Sequence, residues 1–228
     1  MPLNEVKPWG RSLAEYRAMF ALSEHDLRKR ILDCGAGPAA FNAELSELGC
    51  SVVSCDPIYE YSAEAIDARI RETAPAIIEH VNADRDRYVW TVFNSPEQLV
   101  EARLAAMQRF LADLPEGFEQ GRYRSLALPS LPFKDGEFEL ALCSHLLFTY
   151  SEQLSLDFHL AAIRELARVA HEVRIFPLLE YSGDPSPHLH PLIEKLTAEG
   201  DAIHQQRVRY EFQRGGDQLL IVSAPARR

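Results

Sequence analysis

Residues 31–57, ILDCGAGPAAFNAELSELGCSVVSCDP, hold two short apolar runs separated by a glycine turn and a helical pattern, and they restrict the fold more than any other stretch. The run at 30–34 is apolar and stopped by glycine, which predicts a buried strand. Phe41, Leu45 and Leu48 recur at helical spacing and the pattern stops at Gly49, while CSVVSCD reads as a second strand closed by Asp56 and Pro57. A strand, glycine turn, helix and strand within about 30 residues form a unit whose two strands lie parallel, joined by a right-handed crossover. A chain built around it is an α/β protein with an open sheet.

The rest of the chain extends that sheet. Ser12 is placed to cap a helix predicted over 12–28, with Leu13, Tyr16, Met19, Phe20 and Leu27 as its apolar positions. After Asp56 the next strand signal arrives only at 123–128, and so long a gap is not a loop. The interval 62–121 reads as a helical insertion. Ser62 opens one helix through Ile66, Ile70, Ile77, Ile78 and Val81, with a kink at Pro75. Ser95 caps another, with Pro96 in its first turn and Leu99, Leu104, Met107, Leu111 and Leu114 along one side. An insertion entering at that edge serves as a lid over a substrate or as a homodimer surface. A strand at 138–143, a helix at 157–170, a strand at 172–176 and a helix at 191–199 continue the alternation. HQQRVRYEF and DQLLIVSA, joined by Arg214, Gly215 and Gly216, read as an antiparallel hairpin. Residues 1–228 are therefore expected to form a single domain. Its core is a doubly wound, mostly parallel seven-stranded sheet with an antiparallel C-terminal hairpin and a helical insertion after the second strand.

Composition narrows the partners. A net charge of -10, from 24 basic and 34 acidic residues, repels polyanions, and no basic patch offsets it, so nucleic acid is not an expected partner. The opening MPLNEVKPW is neither basic nor apolar enough for a secretion signal, and no segment reaches the ~18 apolar residues of a membrane span. A cytoplasmic location without membrane attachment is expected. Cys34, Cys50, Cys55 and Cys143 show no C-x-x-C pair and fall beside apolar runs, as reduced buried thiols do. His188 and His190 lie between Pro187 and Pro191 with no third ligand in view, so no metal is expected.

The glycine turn itself leaves two ligands open. Gly35, Gly37 and Ala40 fit G-x-G-x-x-A, which cradles a dinucleotide pyrophosphate in a nicotinamide-dependent oxidoreductase, and the same turn suits the amino-acid end of S-adenosylmethionine. Asp56 ends the second strand where a carboxylate meets two ribose hydroxyls, and the helix after the turn offers amides to a carboxylate.

D-x-G-x-G at Asp33, Gly35 and Gly37, the acid Asp56, and LPFKDGEFELALCSHLLF resemble the class I S-adenosylmethionine-dependent methyltransferases. The likeness runs from Ile31 to Phe176 in order, and the last segment is similar to the L-P-F-x-D-x-x-F-D stretch of those enzymes. It implies a cofactor site at Asp33, Gly35, Ala36, Gly37, Asp56, Pro57, Leu128 and Ser144, with Asp33 behind the turn. It also implies methyl transfer to a small organic acceptor. Ala39 replaces a third glycine, and Ala127 stands near the position of an acid that meets adenine, leaving that contact to the backbone near Leu128. No N-P-P-Y or D-P-P-Y follows the fourth strand, which argues against exocyclic amines as acceptors. RVAHEVRIFP replaces the usual K-P-G-G turn. Candidates at the carboxyl edge of the sheet are His145 as proton acceptor, with an unperturbed pKa of about 6.5, and Tyr59, Tyr150 and Tyr181 around the acceptor. A protein that kept the cofactor pocket for regulation without turnover is the alternative from another class.

Overall fold

The computed structural model describes Leu3 and residues 8–223. The unit at 31–57 folds as its pattern predicts. Strand β1 (Ile31–Cys34) and strand β2 (Val52–Cys55) pair in parallel around helix α2 (Phe41–Glu47). Along β1 the side chains alternate: Leu32 and Cys34 join the core on one face, and Ile31 joins the core on the other. Helix α1 (Leu13–Met19) and α2 cover the second face, while helix α5 (Leu156–Val169) and helix α6 (Leu189–Glu199) cover the first.

Strands β3 (Tyr123–Arg124), β4 (Phe138–Ser144), β5 (Ala170–Phe176), β6 (Ala202–Arg207) and β7 (Gln218–Ser223) complete a seven-stranded sheet in the order β3-β2-β1-β4-β5-β7-β6. Only β7 runs against its neighbours, pairing antiparallel with both β5 and β6. This is the class I methyltransferase fold. A dinucleotide-binding sheet of order 3-2-1-4-5-6 has no such reversed strand inserted beside its fifth. Among the described residues no helix is long and apolar enough to cross a membrane.

Three elements depart from the sequence pattern. The helix expected over 12–28 stops at Met19: Ala21 is left-handed at φ 49, and a 3-10 turn follows at Asp26–Arg28. Ser23 and Asp26 bond each other's amides at 3.0 and 3.2 Å, and Arg174 takes the Phe20 carbonyl at 2.8 Å, so side chains outcompete the helical backbone. The strand expected over 123–128 pairs only through Arg124, because Leu126 N folds back onto the Arg124 carbonyl at 2.9 Å. The closing strands pair as expected, but their link spans 208–217 rather than a tight glycine turn. Its Tyr210 and Phe212 are drawn inward, Tyr210 onto Glu15 at 2.9 Å and Phe212 onto the Tyr88 ring at 4.7 Å.

The insertion forms helix α3 (Ala63–Ala83), which carries Pro75, and helix α4 (Pro96–Glu119), capped by the Ser95 hydroxyl on Gln98 N. Leu99, Met107 and Leu114 are buried with Phe110, whereas Leu104 faces out. Arg103 of α4 is fully buried: it bonds Glu15 of α1 at 2.5 Å and the Tyr210 hydroxyl at 3.4 Å, and it lies over the rings of Trp9 and Phe93 at 5.5 and 5.2 Å. Burial disfavours the Glu15 charge, and the adjoining Arg103 outweighs it, leaving the carboxyl below its usual pKa.

Removing one member of a buried pair strands the other. Arg103→Met should therefore lose about 3–5 kcal/mol in urea denaturation, and Arg103→Met combined with Glu15→Leu should regain part of it, because Glu15 also faces Arg11. A double variant no more stable than the single one would show that the pair does not link these elements.

Candidate active site

Parallel pairing sets Cys34 in register with both Cys55 and Cys143. The next residues, Gly35, Asp56 and Ser144, therefore leave the sheet along one line at its carboxyl edge, where ligands of open α/β sheets sit.

The turn is left-handed at both glycines, with φ +68 at Gly35 and +55 at Gly37, a conformation that side chains disfavour. Gly35 N donates to the Cys55 carbonyl at 2.9 Å. A Cβ at Gly35 would lie 2.7 Å from Leu146 Cδ2, whereas at Gly37 it would meet nothing within 4 Å, so the turn is closed beneath and open above. Ala36 is buried against the cluster of Ile58, Tyr59 and Met107.

Asp56 binds this turn. Its Oδ2 accepts Gly37 N at 2.9 Å and its Oδ1 accepts Ile58 N at 2.9 Å, capping the 3-10 turn that Pro57 begins. Burial raises its pKa and the two amides oppose the rise. Each oxygen retains a lone pair. Tyr59, expected beside the acceptor, lies instead beneath the turn: its hydroxyl donates to the Gly37 carbonyl at 2.7 Å and its ring packs on Phe110 and Tyr123. The 3-10 turn after Asp56 carries its side chain back toward the core.

Asp33 is fully buried, with the Tyr16 hydroxyl at 3.2 and 3.4 Å and the Ser54 hydroxyl at 3.5 Å. Burial pushes its pKa up to about 8; the Tyr16 and Ser54 hydrogen bonds oppose this and the Asp56 charge adds to it. Ser144 ends β4, facing the Tyr16 hydroxyl and holding His145 Nδ1 at 2.9 Å. His145 is left-handed at φ 50, donates its amide to the Phe176 carbonyl at 2.7 Å and sets its ring edge-on to Phe176. A strained non-glycine residue at a strand end is a feature of functional sites. Burial, then the charges of Arg11 and Arg103, hold its pKa well below 6.5, so the imidazole is neutral at pH 7 and less basic than its unperturbed value suggests.

Tyr150 and Tyr181 are exposed at the same edge, and Tyr181 N joins the two loops by donating to the Thr149 carbonyl at 2.9 Å. Leu128 is half-buried in the loop after β3, packed against the core, and Ala127 is exposed. His188 bonds the carbonyls of Ser151 and Leu154 at 3.2 and 3.1 Å. Cys34, Cys55 and Cys143 are buried free thiols.

The start of α2 offers less than its sequence implies, because its leading amide, Ala40 N, already donates to the Arg11 carbonyl at 2.9 Å. The segment carrying Arg11, with Tyr16 behind Asp33, escaped sequence reasoning. It has no periodicity before Ser12, and only the Ser12 and Glu15 pair, which closes a capping box, marks it.

No protein-family model matches the chain. The uncharacterized protein MJ0045 of Methanocaldococcus jannaschii is 30% identical over 221 residues, covering 96% of this chain and 97% of that protein. The chain belongs to that protein's family. The matched span takes in the glycine turn, the insertion and the closing strands alike. Among solved structures, magnesium protoporphyrin IX methyltransferase from Synechocystis PCC 6803 with bound SAH is 13% identical, with 92% of this chain and 81% of that one covered at a TM-score of 0.49. The PH0226 protein from Pyrococcus horikoshii OT3 is 13% identical, covering 87% and 82% at a TM-score of 0.45.

Asp33 holds its proton more tightly in the folded chain, near pH 8, than in the unfolded one, near 3.8. Between those values the folded state binds more protons, so this residue makes the ligand-free protein less stable as pH rises, with no further loss above about 8. Asp33→Asn should flatten that decline and melt above the unaltered protein at about pH 8. Parallel pH profiles of melting temperature for the two proteins would contradict the assignment.

Proposed function

We propose that the protein is an S-adenosylmethionine-dependent methyltransferase acting on a small organic molecule. The observation that carries this reading is the left-handed turn at Gly35 and Gly37 bonded to Asp56, open above Gly37 and in line with the exit of β4. In this reading the turn receives the amino-acid end of the cofactor. The free lone pairs of Asp56 accept the two ribose hydroxyls, Pro57 flanks the ribose, and backbone groups at Leu128 meet adenine. The bound cofactor supplies an electrophilic methyl on a sulfonium. The protein's own work is to align the acceptor with that methyl, to exclude water and to take up a proton where the acceptor releases one. His145 is the proton acceptor in this scheme, with Ser144 fixing its ring, and Tyr150 and Tyr181 border the acceptor. The helical insertion packs against Ala36, Ile58 and Tyr59 through Met107 and Phe110. The lowered basicity of His145 favours the second reading, a protein that binds the cofactor without turnover.

Calorimetric titration should give saturable binding of S-adenosylhomocysteine and none of NAD. Asp56→Ala should weaken that binding by roughly 2–4 kcal/mol through two lost charge-assisted hydrogen bonds. Saturable NAD binding without heat from the homocysteine ligand would overturn the cofactor. The acceptor is sought by incubating the protein with methyl-labelled cofactor and a small-metabolite extract, read by mass spectrometry. On the acceptor so found, His145→Ala should lower turnover by about 100-fold or more with cofactor affinity intact, as loss of a general base does. Labelling of no metabolite by a protein that binds the cofactor would favour the regulatory reading.

A further inference from the structure

Residues 8–12 cross the glycine turn at close range. Gly10 passes Pro38 so tightly that a Cβ on it would stand 2.3 Å from the Pro38 carbonyl oxygen, and the Arg11 carbonyl accepts Ala40 N at 2.9 Å. Among the described residues the Arg11 side chain has no matching partner. Its Nε is shut off from solvent and forms no hydrogen bond, and Nη1 makes only a 3.4 Å contact with the Trp9 carbonyl. Glu15, whose charge reaches it, is committed elsewhere: one oxygen accepts Arg103 at 2.5 Å and the other accepts Tyr210 at 2.9 Å. Among the described residues the two guanidiniums thus share a single carboxylate. Asp33 does not restore the balance, since burial keeps it protonated near neutrality.

A buried cation without a counter-ion is retained against stability, and such a group marks a place where a ligand supplies the missing charge. The charge of Arg11 is felt at Tyr16, which bonds Asp33, and at His145 and Tyr150 beyond β4. Its head group therefore lies within reach of Tyr16, His145 and Tyr150, at the exit of β4. Of the amides at the start of α2, Ala40 N is occupied by Arg11's own carbonyl.

We propose that Arg11 is the counter-ion for the carboxylate of the cofactor's amino-acid end, an assignment that rests on the methyltransferase reading above. The backbone of Arg11 closes the start of α2, and its planar fork receives the carboxylate through paired N–H donors, the geometry in which arginine binds such groups best.

The test compares two ligands by calorimetry on the full chain. S-adenosylhomocysteine carries the amino-acid end, and 5′-methylthioadenosine has the same nucleoside and sulfur without it. Arg11→Met should lower affinity for the first by about tenfold or more and leave the second within about twofold. Arg11→Lys should keep part of the difference. The ligand-free Arg11→Met protein should also melt at or above the temperature of the unaltered one, the reverse of what loss of a structural residue does. Should Arg11→Met fail to fold, Arg11→Gln carries the same comparison, and failure of both to fold would mark Arg11 as structural and overturn the proposal. Unchanged homocysteine-ligand affinity, or equal loss of both ligands, would overturn it while leaving the cofactor reading in place. Absence of homocysteine-ligand binding by the unaltered protein would remove the cofactor reading itself.

Discussion

The register of β1 against β2 and β4 is the constraint on which the rest of the structure depends, because a slip of one residue would reverse every side chain along the strand. In the observed register Leu32 and Cys34 enter the larger apolar core, and Asp33 faces Tyr16 and Ser54 on the other side. Shifted by one, the carboxyl would enter the core around Ile163 and Leu166, and Gly35 would no longer leave the sheet beside Asp56 and Ser144. The three cysteines mark the row where β1 stops pairing with β2 and β4. Cys34 keeps its proton through its contact with Cys55 and through burial, and the three buried thiols pack as small apolar groups.

Around that frame side-chain bonds of α4 help fasten the insertion. Arg103 ties α4 to α1 and to the link before β7, joining residues 88 and 107 positions apart. Farther along α4, Asp113 accepts both Arg122 and Tyr123 at 2.7 to 2.8 Å, which fixes the helix to the edge strand β3. A strand of two residues is a weak edge by itself, and α4 covers it. Between these anchors Met107 and Phe110 meet Tyr59 and Ile58, so packing of the insertion is continuous with packing under the glycine turn.

The parts of this architecture that were legible in the sequence are those set by neighbours in the chain. The strand and helix periods at 31–57, the caps at Ser12 and Ser95 and the antiparallel closing pair follow from local spacing and capping chemistry. What was not legible depends on distant partners. Arg174 ends the first helix by taking the Phe20 carbonyl from 154 residues away, and Glu15 draws in Tyr210 from 195 residues away. At the site, Gly35, Gly37 and Asp56 could be found because turn geometry and the strand end demand those residue types. The place of Tyr59 at the ligand edge is visible in the sequence, whereas the 3-10 turn that rotates it inward is not. Arg11 lies in irregular chain, where no period marks a buried side chain.

Gly37 is held through its amide by Asp56 and through its carbonyl by Tyr59, two residues of one short turn. The three positions are thereby inherited as a set rather than singly. A lineage that exchanges Tyr59 for phenylalanine releases the Gly37 carbonyl into a buried space, and a lineage that loses Asp56 leaves the opposite amide unmatched. Drift at either position falls first on the shape of the turn and only then on what the turn holds. Where this family has diverged in the molecules it serves, residues 37, 56 and 59 should change together or not at all.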